Sequence, residues 1–415
     1  MTSYRLSGAR IVDQYGERAG DVTIADGVIV ESAADATVLD CTGLVVSPGF
    51  VDLHTHLREP GQEEAETIET GSRAAALGGF TAVVAMPNTD PTQDSVSVVD
   101  FVRAQGRAAG LCDVHPAGSI TVGRAGGQLT PFGELAGAGV QDPLLMRRAL
   151  EYAGDLGITL AQHCEVARLT EGAVMHEGEC CSHLGLPGWP ALAEELMVHR
   201  DIELVRLTGV PMHFLHLSTA RSVELVRAAK ADGLAVTAEA TPHHISLTDE
   251  LLRGYSALYK VNPPLRTMDD VLAVRAGLAD GTIDVIATDH APHPTEAKER
   301  PFEEAPSGML GLETALALVW EELVRPGVLT PAQALAAASW KGAAIAGLAH
   351  QGQPVAVDAV ANLCVFDPEH RWEVDADRLA SKARNTPYAG RTLTGKVRHT
   401  ILRGEVVVRD GEAQR

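Results

Sequence analysis

Short apolar runs alternate with helical patterns through the middle of the chain, and this alternation restricts the fold more than any other feature. Runs typical of strands cover residues 49–53, 81–86, 113–120, 158–162, 212–217, 235–240 and 283–288. Helical patterns between them include Ile68–Leu77, Pro143–Leu156, Ala220–Ala231 and residues 268–279. Strands that alternate with helices predict βαβ units with parallel strands. We therefore expect an α/β fold of the (β/α)8 barrel (TIM barrel) type.

Both ends of the chain have the pattern of short strands joined by turns. The N-terminal runs cover residues 10–12, 22–24, 28–31 and 38–40, and the C-terminal runs cover 361–366, 397–402 and 406–409. Glycines mark the predicted turns at Gly20, Gly27, Gly43, Gly404 and Gly411. A domain split between both termini suits a central domain inserted into it. We expect a small β-sandwich from residues 1–47 and 352–415, and a barrel from residues 48–351.

The fourth barrel strand is the element that the pattern does not supply. A helical pattern around residues 134–138 leads to residues 139–142, and the next helix begins near Pro143. Four residues are too few for a turn, a strand of about 5 residues and a loop. The sequence thus predicts seven strands, with either a chain break near residues 139–142 or a distorted barrel there.

Charge and composition exclude several classes of partner. The formal net charge of −21 over 415 residues argues against nucleic acid and anionic membrane surfaces. No run of 18 or more apolar residues predicts a spanning helix, and residues 1–13 lack the apolar core of a secretory signal. The six cysteines have no repeated spacing, which favours a reducing cytoplasm. An anionic ligand would need local positive charge from metal ions or arginines.

Histidines at the ends of predicted strands give the first sign of chemistry. His54 and His56 are two residues apart in an extended run, so their side chains project to the same side and can bind one metal ion. His163, His216 and Asp289 follow three further runs. Catalytic groups of (β/α)8 barrels lie at these strand ends. Each histidine alone would more often be a packed core residue, but together the five residues predict a metal site.

Seven segments carry motifs that are highly specific in combination. They are residues 48–61 (PGFVDLHTHLREPG), 86–89 (MPNT), 162–165 (QHCE), 216–219 (HLST), 260–266 (KVNPPLR), 287–293 (ATDHAPH) and 308–314 (GMLGLET). On these segments the chain resembles the amidohydrolase superfamily and, within it, the dihydroorotases of the longer bacterial type. The resemblance covers nearly the whole chain.

The resemblance implies roles for the residues at the strand ends. His54, His56 and Asp289 would bind one zinc ion, and His163 with His216 would bind a second. A metal-activated hydroxide would be the nucleophile. Asp289 would be the catalytic base and acid, which takes a proton from that hydroxide and passes it to the leaving nitrogen.

Substrate contacts are implied for a second group of residues, which are His56, Arg58, Asn88, Asn262, His293, Ser307 and Gly308. The family more often has an aromatic residue before this glycine, so Ser307 departs from the pattern. Plainer alternatives remain for three of the group, because Arg58 could form a surface ion pair and the two asparagines beside prolines could shape turns. His243 and His244 also follow a predicted strand and are expected to have a supporting role at most.

The resemblance fails at the residue that would bridge two metal ions. Many relatives use a carboxylated lysine on the fourth strand, and this chain has no lysine before Lys230. The dihydroorotases that it most resembles use an aspartate in a Ser-Asp-Asp-Gly-like loop, which is absent from residues 138–142. Asp142 matches a position near the start of the next helix, so the bridging role is not carried over to it. The number of metal ions, one or two per chain, is left open.

The expected reaction is the reversible conversion of N-carbamoyl-L-aspartate to L-dihydroorotate in pyrimidine (UMP) biosynthesis. One alternative is a hydantoinase or allantoinase, against which Arg58, Asn88 and the missing lysine argue. A second is a non-catalytic dihydroorotase-like scaffold subunit of aspartate transcarbamoylase, which need not keep five metal ligands. The expected partner is a small-molecule substrate, and a homodimer or a complex with aspartate transcarbamoylase is left open.

Overall fold

In the computed structural model, eight parallel strands form a barrel, and both ends of the chain meet in a separate sheet beside it. The structure describes residues 3–131, 136–137 and 140–415, without the side chains at 136–137. The strands are β1 Tyr4–Asp13, β2 Gly16–Ala25, β3 Val28–Val30, β4 Thr37–Asp40, β5 Val45–Pro48, β6 Phe50–Thr55, β7 Phe80–Ala85, β8 Asp113–Pro116, β9 Ala136–Gly137, β10 Leu160–Gln162, β11 Met175–His176, β12 Gly188–Trp189, β13 Met212–Phe214, β14 Val236–Ala240, β15 Val285–Ile286, β16 Leu363–Glu373, β17 Thr392–Leu402, β18 Glu405–Arg409 and β19 Glu412–Ala413.

The helices lie mostly between successive barrel strands. They are α1 Ile68–Leu77, α2 Val96–Ala109, α3 Pro143–Leu156, α4 Ala167–Thr170, α5 Glu179–Leu184, α6 Leu192–Thr208, α7 Ala220–Ala231, α8 Met268–Asp280, α9 Thr295–Lys298, α10 Ala315–Val319, α11 Pro331–Ala338 and α12 Trp340–Ile345. Three of the four predicted helices have the predicted bounds, and α8 is one residue longer. None of these described helices has both the length and the apolar character needed to cross a membrane.

Helix ends follow from local sequence signals. Thr67 precedes α1 and accepts a hydrogen bond from the backbone N–H of Thr70 at 3.1 Å, and Gly78 ends the helix. Asp142 caps α3 in the same way and accepts from the N–H of Leu145 at 2.6 Å. These caps satisfy backbone donors that the first helical turn leaves unpaired. They fix where each helix leaves the strand end before it.

The barrel is built from two parallel ladders that meet beside the predicted metal site. One ladder is β6-β7-β8, and the other is β9-β10-β13-β14-β15. A parallel bridge from Thr55 to His290 joins the first strand to the segment after the last. The predicted (β/α)8 architecture with a terminal β-domain is confirmed, because this arrangement brings the carboxyl ends of all eight strands to one face.

The fourth strand is present, so the prediction that it is missing is wrong. Ala136 and Gly137 form β9 and pair in parallel with Leu160 and Ala161 of β10. The helix predicted around residues 134–138 is therefore wrong at these two residues. Residues 134, 135 and 138 lie outside the described part. A two-residue strand carries no readable periodicity, which explains the error. In the part of the chain that the structure describes, no ladder joins β8 to β9, so the barrel is irregular there.

The two chain ends share one nine-stranded sheet of order β19-β18-β17-β16-β5-β1-β2-β3, with β4 paired to β1. Strand β5 joins the two ends, since it pairs in parallel with β1 and antiparallel with β16. Gly20, predicted at a turn, instead lies within β2 opposite Ala9. The division of the chain at residues 47/48 and 351/352 stays a prediction.

Candidate metal and substrate site

A cavity of about 430 Å³ opens at the carboxyl ends of the barrel strands. All eleven residues predicted for the site line it, and these are His54, His56, Arg58, Asn88, His163, His216, Asn262, Asp289, His293, Ser307 and Gly308. They come from segments far apart in sequence, because the barrel gathers the loops after its strands at one face. The structure therefore brings the predicted metal-binding and substrate-binding residues into one space.

His54, His56 and Asp289 form the cluster best suited to a metal ion, with one ligand atom from each within 4.8 Å of the others. Asp289 Oδ1 lies 3.5 Å from His54 Nε2 and 3.1 Å from His56 Nε2. Two ligand atoms on a tetrahedral zinc ion, each about 2.0–2.1 Å from the metal, lie roughly 3.3 Å apart. The observed separations thus match the spacing that such an ion requires.

Both histidines are oriented by a partner on the other ring nitrogen. His54 Nδ1 donates to Glu239 Oε1 at 2.8 Å, and His56 Nδ1 donates to Asn88 Oδ1 at 2.7 Å. In each neutral ring this leaves Nε2 as the nitrogen with a free lone pair. Partners of this kind fix the tautomer and direction of metal-binding histidines.

The charges in this cluster favour a bound cation. Burial disfavours the charged form of His54, but Asp289 and Glu239 outweigh it and raise its pKa to about 9. Burial lowers the pKa of His56 to about 4, so its bare Nε2 faces the carboxylate of Asp289. Although burial alone would raise the pKa of Asp289, the charge of His54 holds it well below its usual range. A metal ion between these acceptor atoms would replace the proton on His54.

His163 and His216 form a second histidine pair in the cavity. His163 Nε2 donates to Glu165 Oε2 at 2.9 Å, and its Nδ1 lies 2.8 Å from His216 Nε2. The proton of this contact therefore belongs to His216. The buried Nδ1 of His216 then has a free lone pair and, among the residues that the structure describes, no hydrogen-bond partner. The facing nitrogens would need to separate by roughly 0.5 Å to hold one tetrahedral zinc ion between them.

Arg58 is buried at the wall of the cavity and keeps donors free for a ligand. Its Nε donates to the carbonyl of Pro292 at 3.1 Å, and one terminal nitrogen lies 3.3 Å from His293 Nε2. That same Nε2 is 2.8 Å from the carbonyl of Ser307 and donates to it, so it cannot also accept from Arg58. Burial lowers the pKa of Arg58 only to about 10, which leaves the guanidinium charged at neutral pH.

Position 308, beside this arginine, requires a glycine because of its backbone conformation and its close neighbours. Its φ is 140°, and an added Cβ would lie 2.8 Å from the Cβ of Ala291 and 2.9 Å from His293 Nε2. Lys298 fixes the loop from beneath, because its Nζ donates to the carbonyls of Pro306 and Gly308, both at 2.9 Å. The loop thus forms a close, rigid wall of the cavity.

The two asparagines contact site residues as well as the cavity. Asn262 donates from Nδ2 to Glu165 Oε2 at 3.2 Å, while its buried Oδ1 has no partner in the described part of the chain. Asn88 orients His56 as described above. The alternative that they only shape turns does not account for these contacts. The open oxygen of Asn262 is an acceptor that a ligand N–H could use.

Four functional candidates were missed by the sequence analysis, namely Glu239, Glu165, Arg124 and Gln141. Glu239 is fully buried within β14, and a glutamate inside a predicted barrel strand was the signal that could have revealed it. Glu165 follows His163 in a quoted motif. The other two line the cavity from loops and carry no periodic pattern.

The residues given minor roles lie away from the cavity lining. His244 contacts Thr241 Oγ1 at 2.8 Å and the carbonyl of Pro263 at 3.1 Å, which is a structural role. Asp142 caps α3 through Leu145, so its carboxylate is engaged at the helix and does not line the cavity. Among the described residues on the cavity wall, the carboxylates are Asp289 and Glu165.

Comparison with known sequences identifies dihydroorotases as relatives of this chain. Residues 43–222 match the family model described as Dihydro-orotase-like. The chain is 49% identical to the dihydroorotase of Streptomyces coelicolor, over 99% of this chain and 100% of that protein. It is 50% identical to the dihydroorotase of Mycobacterium tuberculosis, over 96% of each. The first alignment spans 430 positions, 15 more than this chain has residues, so the relative has residues that this chain lacks.

Comparison with solved structures identifies the same architecture at low sequence identity. A D-hydantoinase superimposes with a TM-score of 0.88 at 21% identity, over 99% of this chain and 96% of that one. The L-hydantoinase (dihydropyrimidinase) of Arthrobacter aurescens gives 0.87 at 24%, over 100% and 98%. At this level of identity the likeness establishes the fold, while the choice of substrate depends on the residues of the cavity.

Proposed function

We propose that this chain, which belongs to the dihydroorotase family, reversibly converts N-carbamoyl-L-aspartate to L-dihydroorotate in pyrimidine biosynthesis. The observation that carries the proposal is the presence of Arg58 and the His54–His56–Asp289 cluster in one cavity. Dihydroorotate has a carboxylate beside a neutral ring. Arg58 would bind the carboxylate, and the cluster would hold the metal that acts on the ring amide. The family predicted from the seven sequence segments is confirmed.

The donor set supports zinc as the metal. The donors are two imidazole nitrogens and one carboxylate oxygen, and the oxygen lies 3.5 and 3.1 Å from the two nitrogens. This set fits a catalytic zinc that keeps an open position. When bound, zinc would polarise the ring carbonyl and lower the pKa of water to about 7. His54, His56 and Asp289 would hold this ion, and His163 with His216 would hold a second, so that one or two ions per chain are expected.

The substrate would be held by groups that the cavity leaves free. Arg58 retains both hydrogens of one terminal nitrogen and can bind the ring carboxylate through charge-assisted hydrogen bonds. Asn262 offers its unpaired Oδ1 to a ring N–H. Asn88, His293 and the Ser307–Gly308 backbone would complete the contacts around the ring. These contacts fix the scissile amide with respect to Asp289.

Asp289 is suited to move the proton in this reaction. Its Oδ1 faces both His54 and His56, so the carboxylate lies beside the proposed metal position, where the scissile carbonyl would be attacked. The charge of His54 holds the pKa of Asp289 well below the usual range, so the carboxylate is ionised at neutral pH. It would take the proton from the attacking water and donate it to the leaving amide nitrogen, as a general base and then a general acid.

The test compares a charged with an uncharged cyclic substrate. Purified protein should hydrolyse dihydroorotate and leave dihydrouracil, which lacks the carboxylate, unreacted. Arg58→Lys should weaken dihydroorotate turnover although the charge is kept, because the two-pronged contact is lost. Hydrolysis of dihydrouracil, or unchanged turnover in Arg58→Ala, would favour a hydantoinase. Absence of turnover on any cyclic amide in metal-loaded protein would favour the scaffold role.

Assembly and location follow as part of the same proposal. A small-molecule substrate is the partner that the family implies. A homodimer, or a complex with aspartate transcarbamoylase, would be detected by light scattering of the chain alone and after mixing. Fractionation with an antibody against the chain would test the expected cytoplasmic location.

A further inference from the structure

Arg124 is a second arginine on the wall of the cavity that none of the roles above explains. It belongs to the loop between β8 and β9 and lines the same cavity as Arg58. Its guanidinium has no hydrogen-bond or ion-pair partner among residues 3–131, 136–137 and 140–415. The cavity thus has two arginines in a protein of net charge −21. Arg58 is partly engaged by protein groups, and Arg124 has no partner among the described residues.

The loop that carries Arg124 is fixed at its base. Thr121 and Leu129 form an antiparallel bridge, and the N–H of Val122 donates to the carbonyl of Gln128 at 2.9 Å. Nearer the tip, the N–H of Gly123 donates to Asp94 Oδ2 at 2.7 Å. The position of Arg124 is therefore set by contacts on either side of the loop rather than by its own side chain.

The backbone of Arg124 is held in a conformation that arginine rarely adopts. Its φ is 57°, next to Gly123 with a φ of 59°. Left-handed backbone is unfavourable for a residue with a Cβ and is retained where the surroundings or a function require it. Among the described residues, no contact of the side chain accounts for an arginine at this place. A ligand in the cavity would account for it.

We propose, on the basis of the proposed function, that Arg124 is a second substrate-binding cation for the carboxylate that Arg58 holds. The open-chain and cyclic substrates share this carboxylate. The second carboxylate of the open-chain form contains the reacting carbon, so it must lie at His54, His56 and Asp289. That leaves the shared carboxylate as the anion for both arginines.

The geometry of a carboxylate allows two arginines to bind it together. Its two oxygens offer about four lone-pair directions. A guanidinium meets a carboxylate through two parallel hydrogen bonds at most, and the Nε of Arg58 is already used on Pro292, so Arg58 leaves some of these directions open. Arg124 comes from the loop after β8, whereas Arg58 comes from the loop after β6. The two guanidinium groups therefore reach the anion from different barrel loops.

This role predicts a particular kinetic signature. A contact made equally in both substrates and in the transition state affects KM and leaves kcat unchanged. Because the equilibrium constant of the reaction cannot change, kcat/KM must fall by the same factor in both directions. A structural role would lower the fraction of active protein and so reduce kcat. A role at the reacting atoms would reduce kcat as well.

The experiment measures kcat and KM in both directions for wild type, Arg124→Gln and Arg124→Lys. Arg124→Gln should raise KM by about 5- to 30-fold for dihydroorotate and for carbamoyl aspartate, with kcat nearly unchanged; the lower bound reflects partial screening of an exposed charge. Arg124→Lys should recover part of the loss, because the charge remains. Added salt should lower kcat/KM more in wild type than in Arg124→Gln.

The matched control is Arg148→Gln, which removes one charge from an exposed position on α3 that does not line the cavity. An unchanged KM in Arg124→Gln, a fall confined to kcat, or an equal rise of KM in Arg148→Gln would each overturn the proposal. These outcomes differ from failure of the proposed function, in which wild type itself would not turn over dihydroorotate.

Discussion

His54 donates its Nδ1 proton to Glu239 across 2.8 Å, at the bottom of the cavity. The same carboxylate accepts from His213 Nε2 at 3.1 Å and from the backbone N–H of His216 at 3.2 Å. Glu239 is completely buried, so its charge is balanced by these donors rather than by water. One glutamate thus orients a ligand of the first proposed metal position and the backbone of a ligand of the second.

Replacement of Glu239 by glutamine should weaken metal binding. Glu239→Gln keeps the shape of the side chain but removes the charge that orients His54, and loss of such a partner lowers metal affinity by about 10- to 100-fold. The dissociation constant of zinc would be measured by competition with a chelator. The control is Glu194→Gln, another buried glutamate, which contacts Ser218 away from the cavity. Equal weakening in both variants would contradict the orienting role.

Metal content provides a separate test of the ligands. Purified protein should contain one or two zinc ions per chain, and His54→Ala or His56→Ala should abolish turnover and lower the zinc content, since each removes one donor of the three-residue cluster. Elemental analysis and activity assays would measure both effects. His199→Ala, at an exposed position, is the control. Active protein without stoichiometric metal would refute the metal assignment.

The sequence predicted the His54–His56–Asp289 cluster because ligand chemistry and strand ends are both readable in it. His54 and His56 are close in sequence, and the residues that follow later strands meet them wherever a barrel forms. The orienting partners could not be predicted in the same way. Glu239 and Asn88 act through contacts between different strands, and Arg124 lies in an irregular loop. Such contacts depend on register and loop course, which periodicity does not encode.

The fold was predictable for the same reason, and its prediction failed at strand β9. The bounds of helices such as α1 and α3 were predicted correctly because the capping residues and the apolar faces indicate the same helix ends. Strand β9 was missed because its two residues are placed by pairing with Leu160 and Ala161 of β10. The segment after it is held by a side chain far along the chain, since Arg200 on α6 donates to the carbonyls of Val140 and Gln141 at 2.7 and 2.9 Å.

Removal of Arg200 should therefore destabilise the barrel at its irregular point. Arg200 also binds Asp201 Oδ1 at 2.6 Å, so Arg200→Ala removes the ion-pair partner of a buried carboxylate and the donor to the carbonyl of Gln141. The carbonyl of Val140 would keep the longer contact of 3.4 Å from Gln162 Nε2. The expected loss is about 2–4 kcal/mol in the free energy of unfolding, measured by chemical denaturation. Arg148→Ala, on the exposed face of α3, should change it by less than about 0.5 kcal/mol. Equal stability of both variants would show that the segment is held by other contacts.

Stability at acid pH should depend on Asp13, which links the two ends of the chain. Its buried carboxylate binds Arg18 through two contacts of 2.8 Å and accepts from the N–H of Val355 at 2.8 Å. Burial would raise its pKa, but the hydrogen bonds from Arg18 and from the backbone lower it below 3.8. The folded state therefore favours the ionised form more than the unfolded state does.

The sign of the pH dependence follows from this lowered pKa. The contribution of Asp13 is complete above the unfolded pKa and is lost as the pH falls through the folded pKa. Asp13→Asn should lower the free energy of unfolding by about 2–4 kcal/mol at neutral pH, and the difference from wild type should shrink as the pH is lowered below 3.8. Denaturant titrations from neutral to acid pH would measure it. Asp40→Asn, at the exposed end of β4 where the carboxylate accepts from the N–H of Thr42, should have a much smaller effect. A difference between wild type and Asp13→Asn that stays constant down to the lowest pH would show that packing, and not ionisation, gives Asp13 its role.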